Sequence, residues 1–135
     1  MDKEAQNIIT IFKSWTQLKI KIHFSQKEIY PKSREVWWVS LGQNIGVEIN
    51  GKNNNFERPV LVLKVFNRWC VLVAPISSSI RNDQYCIKFV NINREENIVN
   101  LSQVRVLSTK RLIRKIGEFS PSDFKKVKDV FTGLM

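Results

Sequence analysis

Short apolar runs with the alternation or the β-branched content of strands recur along the middle of the chain. Residues 36–41 alternate and are rich in aromatic side chains, while residues 60–65 form a β-branched run. Runs of this length, bounded by Gly, Asn and Pro, are typical of strands. Residues 113–116 fit either a short strand or an irregular basic segment. Further strands are predicted at residues 69–76, 85–90, 98–101 and 103–107.

No helical pattern of useful length interrupts this succession of strands. Parallel sheets need a crossover connection, usually a helix, between neighbouring strands, whereas antiparallel strands can be joined directly. The order of elements therefore predicts an antiparallel sheet that curls into a small barrel.

Helical patterns stand at both ends of the chain. At the amino end, Asp2 can cap a helix over residues 2–21, and residues 23–33 are typical of a linker. The apolar positions of this helix return at roughly helical spacing and are Ile8, Ile9, Phe12, Trp15, Ile20 and Ile22. We therefore divide the chain into an N-terminal helix with its linker, residues 1–33, and a barrel domain, residues 34–135.

The apolar face of this first helix needs a cover, because a large apolar side chain left in water forgoes roughly 1.5–3 kcal/mol. Packing on the barrel of the same chain or across a dimer, as an extra layer, is the favoured interpretation. A docking surface for another protein is the alternative.

The last helix carries the clearest capping signals. Ser120 is a suitable N-cap, Pro121 takes the first helical position, and Phe119 and Phe124 stand at the two ends of a hydrophobic staple. A helix is therefore predicted over residues 121–132. With two helices beside the strands, the fold class is mainly β, or α+β by element count.

A glycine-rich loop separates the first two strands. Gly42, Gly46, Gly51 and three consecutive asparagines are incompatible with regular structure. Arg58 and Pro59 stand at the exit of the loop. Because proline can begin a strand but is excluded from its middle, we expect a guanidinium on rigid backbone beside a mobile loop. This organisation is typical of a functional site.

The composition is that of a single basic globular domain. The chain has 135 residues, 43% of them hydrophobic and 25% charged, which is enough for one core. Lys and Arg number 22 against 12 Asp and Glu, so the net charge is +10. Such a charge favours polyanions or an acidic protein as partners, and simple solubility is the alternative.

The chain offers little material for metal or thiol chemistry. Cys70 and Cys86 are its only cysteines, they do not form a C-x-x-C pair, and His23 is its only histidine. No metal site and no cofactor are therefore expected. The amino end lacks a cationic region followed by an apolar run, and no apolar stretch approaches the ~20 residues that span a bilayer. We expect a cytoplasmic protein without membrane association.

The residues around the glycine-rich loop follow the order of a known motif. The matching residues are Trp38, Leu41, Gly42, Gly46 and Glu48, followed by Arg58, Pro59, Val60, Leu61 and Val62. Residues 73–78 and the signatures L-x-Q-x-R and K-R-L within residues 101–112 continue this order. Over roughly residues 34–134 the chain resembles the MazF/PemK-like toxins of type II toxin–antitoxin systems.

The resemblance implies a small SH3-like barrel that forms a homodimer. It also implies a sequence-selective, metal-independent endoribonuclease that cleaves single-stranded RNA such as mRNA to a 2′,3′-cyclic phosphate and a 5′-hydroxyl. An acidic antitoxin protein is the implied inhibitor. The net charge of +10 suits both anionic partners, and specific RNA recognition generally needs unpaired bases.

Two residues carry the implied catalysis. Arg58 matches the catalytic arginine of the MazF-like branch, and Ser77 matches a threonine whose hydroxyl helps at the phosphate. A guanidinium has a pKa above ~12, so Arg58 is expected first to stabilise charge on the phosphorane and only second to move protons. A salt bridge from Arg58 to Glu48 or Glu57 is the alternative role, and for Ser77 the alternative is ordinary turn chemistry.

Further residues are expected to support catalysis or to contact RNA. Glu48 could orient Arg58 or accept a hydrogen bond from a base, and Gln103 matches a family position close to the site. The residues expected to bind RNA are Arg105, Lys110, Arg111 and Lys52. A solvated basic face is the alternative for the basic segment.

The chain departs from the PemK-like branch at the positions that perform acid–base work there. Where that branch has an arginine, an aspartate and a loop histidine, the chain has Asn100, Ser102 and Val47. A single histidine excludes a two-histidine ribonuclease, and the lack of clustered aspartates argues against a two-metal nuclease. Two alternatives stay open: a barrel that binds RNA without cleaving it, and a toxin of this fold that poisons DNA gyrase by protein contact. Gyrase poisons lack the loop glutamate and R-P-V-L-V arrangement found here.

Overall fold

The computed structural model describes residues 1–79, 81–90 and 94–135, which form two helices and seven strands. The helices are α1 (Lys3–His23) and α2 (Pro121–Gly133). The strands are β1 (Glu35–Ser40), β2 (Glu57–Asn67), β3 (Cys70–Ser77), β4 (Cys86–Val90), β5 (Glu96–Asn100), β6 (Arg105–Ser108) and β7 (Leu112–Glu118). Single turns of 3-10 helix, Leu101–Gln103 and Thr109–Arg111, precede β6 and β7.

The strands form one antiparallel sheet in the order β4-β5-β3-β2-β1-β7. β6 pairs with the first half of β3, while β5 pairs with its end at Ile76 and Ser77. Because β5 and β6 share one edge of β3, the sheet divides there. Within the described residues no pairing joins β7 to β4, β5 or β6, so the sheet does not close. The predicted fold class is confirmed, but the barrel is open.

Alternate residues of the central strands serve two separate cores, as the pleat requires. One core lies on the face that carries Val39, Val60, Val62, Val71 and Val73, together with Leu107 and Leu112. We call this side of the sheet the valine face. The other core joins Leu61 of β2 to α2 through Phe124 and Val127. The middle of β2, Val60, Leu61 and Val62, is therefore buried on both sides, while both ends of this strand are partly or fully exposed.

Both helices begin at the predicted caps. The Asp2 carboxylate accepts a hydrogen bond from the backbone N–H of Ala5 at 2.7 Å, and α1 runs two residues past its predicted end at residue 21. The Ser120 hydroxyl accepts one from the N–H of Asp123 at 3.1 Å. These side chains satisfy amide groups that have no partner within the helix.

α1 packs on the rest of the chain through a narrow part of its surface. Trp15 is its one buried residue, at 6% exposure, and Ile22 is half-buried. Ile8, Phe12 and Ile20 remain 43%, 36% and 54% exposed. Packing on the barrel of the same chain therefore involves the Trp15 side, and much of the apolar face is open in the protomer. None of the described helices has the length and apolarity required to cross a bilayer.

The placement of Pro59 needs correction. It is the third residue of β2 and lies opposite Trp38 of β1, whereas the sequence suggested that β2 would start there. The ladder from β2 to β3 begins only at Val60. At Pro59 the strand is thus paired on one side, where a missing N–H is tolerated. Arg58 consequently belongs to the strand itself.

Residues 113–116, left open by the sequence, lie within β7. The basic side chains that made this segment ambiguous have cross-strand partners. Arg114 lies 3.2 Å from the carboxylate of Glu57, and Lys115 lies 3.0 Å from that of Glu35. The lysine and arginine therefore fit an edge strand, where charged side chains also discourage pairing with other chains.

Candidate functional site

Arg58 is a partly buried cation on the valine face. It lies opposite Val39 of β1 and two residues before Val60, so its side chain shares their face. Its Nε donates a hydrogen bond to the carbonyl oxygen of Asn50 at 2.8 Å. Burial lowers the pKa of Arg58 below its ordinary value, yet a guanidinium stays protonated at neutral pH. The site thus contains a positioned, partly desolvated positive charge.

The alternative role for Arg58, a salt bridge that closes the loop, does not occur among the described residues. Glu57 pairs with Arg114 instead, and the Glu48 carboxylate accepts a hydrogen bond from the N–H of Ile45 in its own loop at 2.9 Å. The terminal nitrogens of Arg58 make no hydrogen bond to any described residue. They are available to an anionic ligand.

Ser77 lies at the end of β3 on the same face. Pro75 is opposite Val60 in the first pair of the β2–β3 ladder, and Ser77 and Arg58 each lie two residues beyond that pair on their own strand. Its Oγ accepts a hydrogen bond from the N–H of Ser79 at 3.1 Å, which is the turn chemistry of the alternative. A hydroxyl that accepts in this way still has its own O–H to donate. Both predicted catalytic residues therefore stand at the same end of adjacent strands.

The loop between β1 and β2, residues 41–56, is hydrogen-bonded to itself beside Arg58. The Asn44 side chain donates to the carbonyl of Ile49 at 2.8 Å. The backbone N–H of Asn44 donates to the side-chain oxygen of Asn50, the residue whose carbonyl holds Arg58. Asparagine side chains thus substitute for regular structure, and the loop is internally fixed where the sequence suggested a mobile one.

Gln103 ties this loop to the start of β6. Its side-chain oxygen accepts from the N–H of Ile49 at 3.1 Å, and its side-chain nitrogen donates to the carbonyl of Val47 at 3.0 Å. One amide therefore satisfies both a donor and an acceptor of the loop. Gln103 contacts the loop at Ile49, next to Asn50 whose carbonyl holds Arg58, so the support that it gives to Arg58 passes through the loop.

Arg105 adds a second cation to the valine face. It is opposite Val73, on the edge of β3 that faces away from β2. Burial lowers the pKa of Arg105, and the negative charge of Glu48 raises it in part. Glu48 therefore acts electrostatically on Arg105. Arg58, Ser77 and Arg105 share one face of three neighbouring strands.

Arg111 is engaged with the protein itself. Its guanidinium donates to the carbonyls of Ser40 and Leu41, each at 3.2 Å, and lies 5.6 Å from the ring centre of Trp15. Burial, and next the positive charge of Arg105, lower the pKa of Arg111 to about 10. It remains charged at neutral pH and connects the end of β1 to α1.

The two lysines expected to bind RNA differ in their surroundings. The Lys110 ammonium donates to the carbonyl of His23, the last residue of α1, at 2.6 Å. Lys52 is exposed in a tight turn whose backbone pairs with Glu57 in both directions at 2.9 Å. Lys110 thus caps a helix end, where a positive charge is favourable. The Lys52 ammonium is exposed and has no hydrogen bond or ion pair to a described residue.

Comparisons with known proteins identify the family. The family model described as PemK-like, MazF-like toxin of type II toxin–antitoxin system matches residues 32–134, most of the chain. The chain belongs to this toxin family. No curated protein matches it.

Solved structures named as MazF proteins or as an endoribonuclease share the fold. MazF from Deinococcus radiodurans superposes with a TM-score of 0.66 at 18% identity, covering 78% of this chain and 96% of that one. An endoribonuclease from a mycobacterial species, in complex with its cognate antitoxin, gives 0.60 at 15% identity and covers 76% and 92%. The Mycobacterium tuberculosis toxin MazF-mt6 gives 0.58 at 20% identity and covers 74% and 94%. At these identities the likeness concerns the fold.

The departures of this MazF/PemK-like chain from the PemK-like branch have structural roles. Asn100 is buried, and its side-chain oxygen accepts hydrogen bonds from the N–H of Ser102 at 3.0 Å and from its hydroxyl at 2.6 Å. Val47 is 92% exposed at the loop tip. Asn100 therefore caps the turn at Ser102, whereas Val47 faces solvent. A valine side chain has no proton to exchange, so it cannot replace the loop histidine in acid–base catalysis.

Two residues that support the site region were not predicted from the sequence to do so. Asn50 positions Arg58 through a backbone carbonyl, an atom that every residue type has. Trp15 contacts Arg111 and Phe56 from a helix that precedes the matched residues. For Asn50, the asparagine-rich composition of the loop was the one available hint. The role of Trp15 depends on tertiary packing.

Proposed function

We propose that this MazF/PemK-like toxin is a metal-independent endoribonuclease that acts on single-stranded RNA in the cytoplasm. The observation that carries the proposal is that Arg58 near the start of β2 and Ser77 at the end of β3 lie at the same end of two adjacent antiparallel strands, with Arg105 on the same face. Two mycobacterial structural neighbours are named as endoribonucleases, which also supports the proposal.

The proposed reaction uses the 2′-hydroxyl of RNA as the nucleophile. Its oxygen attacks the adjacent phosphorus and loses a proton, the bond to the 5′-oxygen breaks, and that oxygen gains a proton. The products are a 2′,3′-cyclic phosphate and a 5′-hydroxyl. Negative charge increases on the phosphorane, so a fixed cation in a partly desolvated site lowers the barrier.

In this reaction Arg58 acts as the charge clamp. Its Nε is held by Asn50, so the terminal nitrogens can bind two phosphoryl oxygens together. Ser77 donates its O–H to a phosphoryl oxygen, and Arg105 contacts a neighbouring phosphate. Glu48 tunes Arg105, and Gln103 keeps the loop in place.

An acidic antitoxin and a second copy of the chain are the proposed protein partners. One structural neighbour was solved with its cognate antitoxin, and another is named as a MazE–MazF complex. The net charge of +10 favours an acidic partner by long-range attraction. RNA and antitoxin then compete for overlapping basic surface.

A barrel that binds RNA without cleaving it is the second candidate. The pairing of Asn100 with Ser102 favours it, because these side chains replace acid–base residues of the PemK-like branch and satisfy each other. Intact but bound RNA is its distinguishing result.

Incubation of the purified chain with a long single-stranded RNA in excess EDTA tests the proposal. We expect discrete fragments, because in the described residues no three His, Cys, Asp or Glu side chains come together as metal ligands. Cleavage should weaken as salt rises, with a log–log slope of about −0.7 for each phosphate contacted. A strict requirement for added Mg²⁺, or RNA that is retarded on a gel yet intact, contradicts the proposal.

Replacement of Ser77 separates catalysis from turn formation. Ser77→Ala should lower the cleavage rate by about 10²-fold, the cost of one lost donor at a phosphorane, while RNA affinity changes little. Ser77→Thr keeps a hydroxyl and should retain activity. Single-turnover rates and gel-shift affinities measure the two effects. If the wild type and both variants cleave at the same rate, Ser77 has no catalytic role and only forms the turn through its contact with Ser79.

A further inference from the structure

A cleft of about 410 Å³ lies between α1 and the loop of residues 41–56. Its lining consists of Thr10, Ile11, Ser14, Gln43, Gly51, Asn53, Asn54 and Phe56. The first three belong to α1, which precedes the family-matched residues 32–134. The cleft therefore joins an element of the toxin fold to an element outside the matched region.

The lining has the chemistry of a base-binding site. None of the eight lining residues is charged, so the cleft is poorly suited to a phosphate. The side-chain amides of Gln43, Asn53 and Asn54 make no hydrogen bond to any described residue, and neither does the hydroxyl of Ser14. Amides and hydroxyls that can both donate and accept are the groups that recognise base edges. Ile11 and the small exposed part of Phe56 add apolar surface for the flat face of a base.

The loop side of the cleft is held in an uncommon backbone conformation. Asn53 and Phe56 have φ of 66° and 47°, in the left-handed region that glycine favours. The Phe56 carbonyl accepts hydrogen bonds from the N–H groups of Leu41 at 2.7 Å and Gly42 at 3.1 Å. A non-glycine residue stays in this region only when its surroundings fix it. The recognition groups of Asn53 and Asn54 are thus displayed on a fixed turn, which lowers the entropic cost of binding.

The cleft is linked directly to the proposed catalytic centre. Gly51 lines it and follows Asn50, whose carbonyl positions Arg58. The N–H of Gly51 donates to the carbonyl of Gly42 at 2.8 Å, and a side chain at Gly51 would collide with the backbone of Phe56. The wall of the cleft and the support of Arg58 are therefore one continuous stretch of backbone.

We infer that this cleft binds one unpaired nucleobase of the RNA near the scissile phosphate and sets a sequence preference at that position. The inference rests on the proposed ribonuclease function. Gln43 and Asn54 read the edge of the base, and α1 supplies the opposite wall. Sequence preference in this toxin thus depends partly on a helix outside the family-matched region.

The test is a cleavage assay on single-stranded RNA randomised around the cut, with sequencing of the fragment ends. Gln43→Ala and Asn54→Ala should each reduce, by about tenfold, the ratio of kcat/KM between the preferred and the disfavoured base at one position. The loss should fall mainly on the rate for the preferred base. Gln17→Ala, an exposed α1 glutamine outside the cleft, is the matched control and should keep the preference.

The outcomes separate this inference from the ribonuclease proposal. Cleavage with an unaltered preference in both cleft variants, or an equal loss on all sequences, overturns the base-binding cleft and leaves the ribonuclease standing. If the wild type cleaves nothing, selection of bound molecules from a randomised 2′-O-methyl RNA pool replaces the cleavage assay. A base preference that the cleft variants lose then supports the cleft alone, and its absence overturns it.

Discussion

Arg58→Ala should lower RNA cleavage by about 10²–10³-fold, the usual cost of removing one charge-stabilising group from a transition state. The melting temperature should change little. The Arg58 side chain stands at the end of the valine face and makes one hydrogen bond, to the Asn50 carbonyl, with no ion pair to a described residue. Single-turnover rates at saturating RNA and thermal unfolding measure the two effects.

Two further variants make this result specific. Arg68→Ala removes an arginine that stacks on Trp69 at 3.8 Å, roughly 30 Å from Arg58 along β2, and should leave cleavage unchanged. Arg58→Lys keeps the charge but cannot bind two phosphoryl oxygens while donating to Asn50, so it should recover only part of the rate. If Arg58→Ala cleaves RNA at the normal rate, Arg58 is not catalytic. If the variant unfolds, the role of Arg58 is structural.

The strands and helices were largely predictable because each depends on local pattern. The cap at Ser120 and the β-branched run of β2 are complete signals within a few residues. Closure of the barrel was not predictable in this way. It depends on whether edge strands meet, and β5 and β6 instead divide one edge of β3. The prediction that β2 begins at Pro59 was wrong for a similar reason. A proline is tolerated inside this strand because the ladder to β3 begins only at the next residue, Val60.

The site was predictable where residues share a sheet face and was less so where they reach across the fold. Arg58 and Ser77 were predicted from the resemblance to the toxin family, and the antiparallel pairing of β2 with β3 brings their strand ends together. Lys110 and Arg111 look like an exposed basic pair in the sequence, but their partners are the carbonyls of His23 and Leu41. Carbonyl oxygens carry no sequence signal. The basic composition therefore indicated an anionic partner. It did not show which lysine and arginine side chains are already bound to groups of the protein itself.

Trp15→Ala should have the largest effect on stability. The ring is 6% exposed and packs against Phe56 at 5.6 Å and against the guanidinium of Arg111, and a side chain at Gly42 would collide with it. Truncation leaves a cavity and removes the main contact of α1, so the free energy of unfolding should fall by about 3 kcal/mol. Urea unfolding measures this loss, which corresponds to a melting temperature lower by roughly 10 °C.

Cleavage by the folded fraction of Trp15→Ala should persist, because Arg58 and Ser77 lie on strands and the loop keeps its contacts to Gln103. Ile20→Ala, on the same helix but 54% exposed, should change the free energy of unfolding by less than about 0.5 kcal/mol. If the Trp15 variant is as stable as the wild type, α1 is not held by this residue. If it is stable but inactive, α1 belongs to the catalytic surface itself, and the strands alone do not suffice for the reaction.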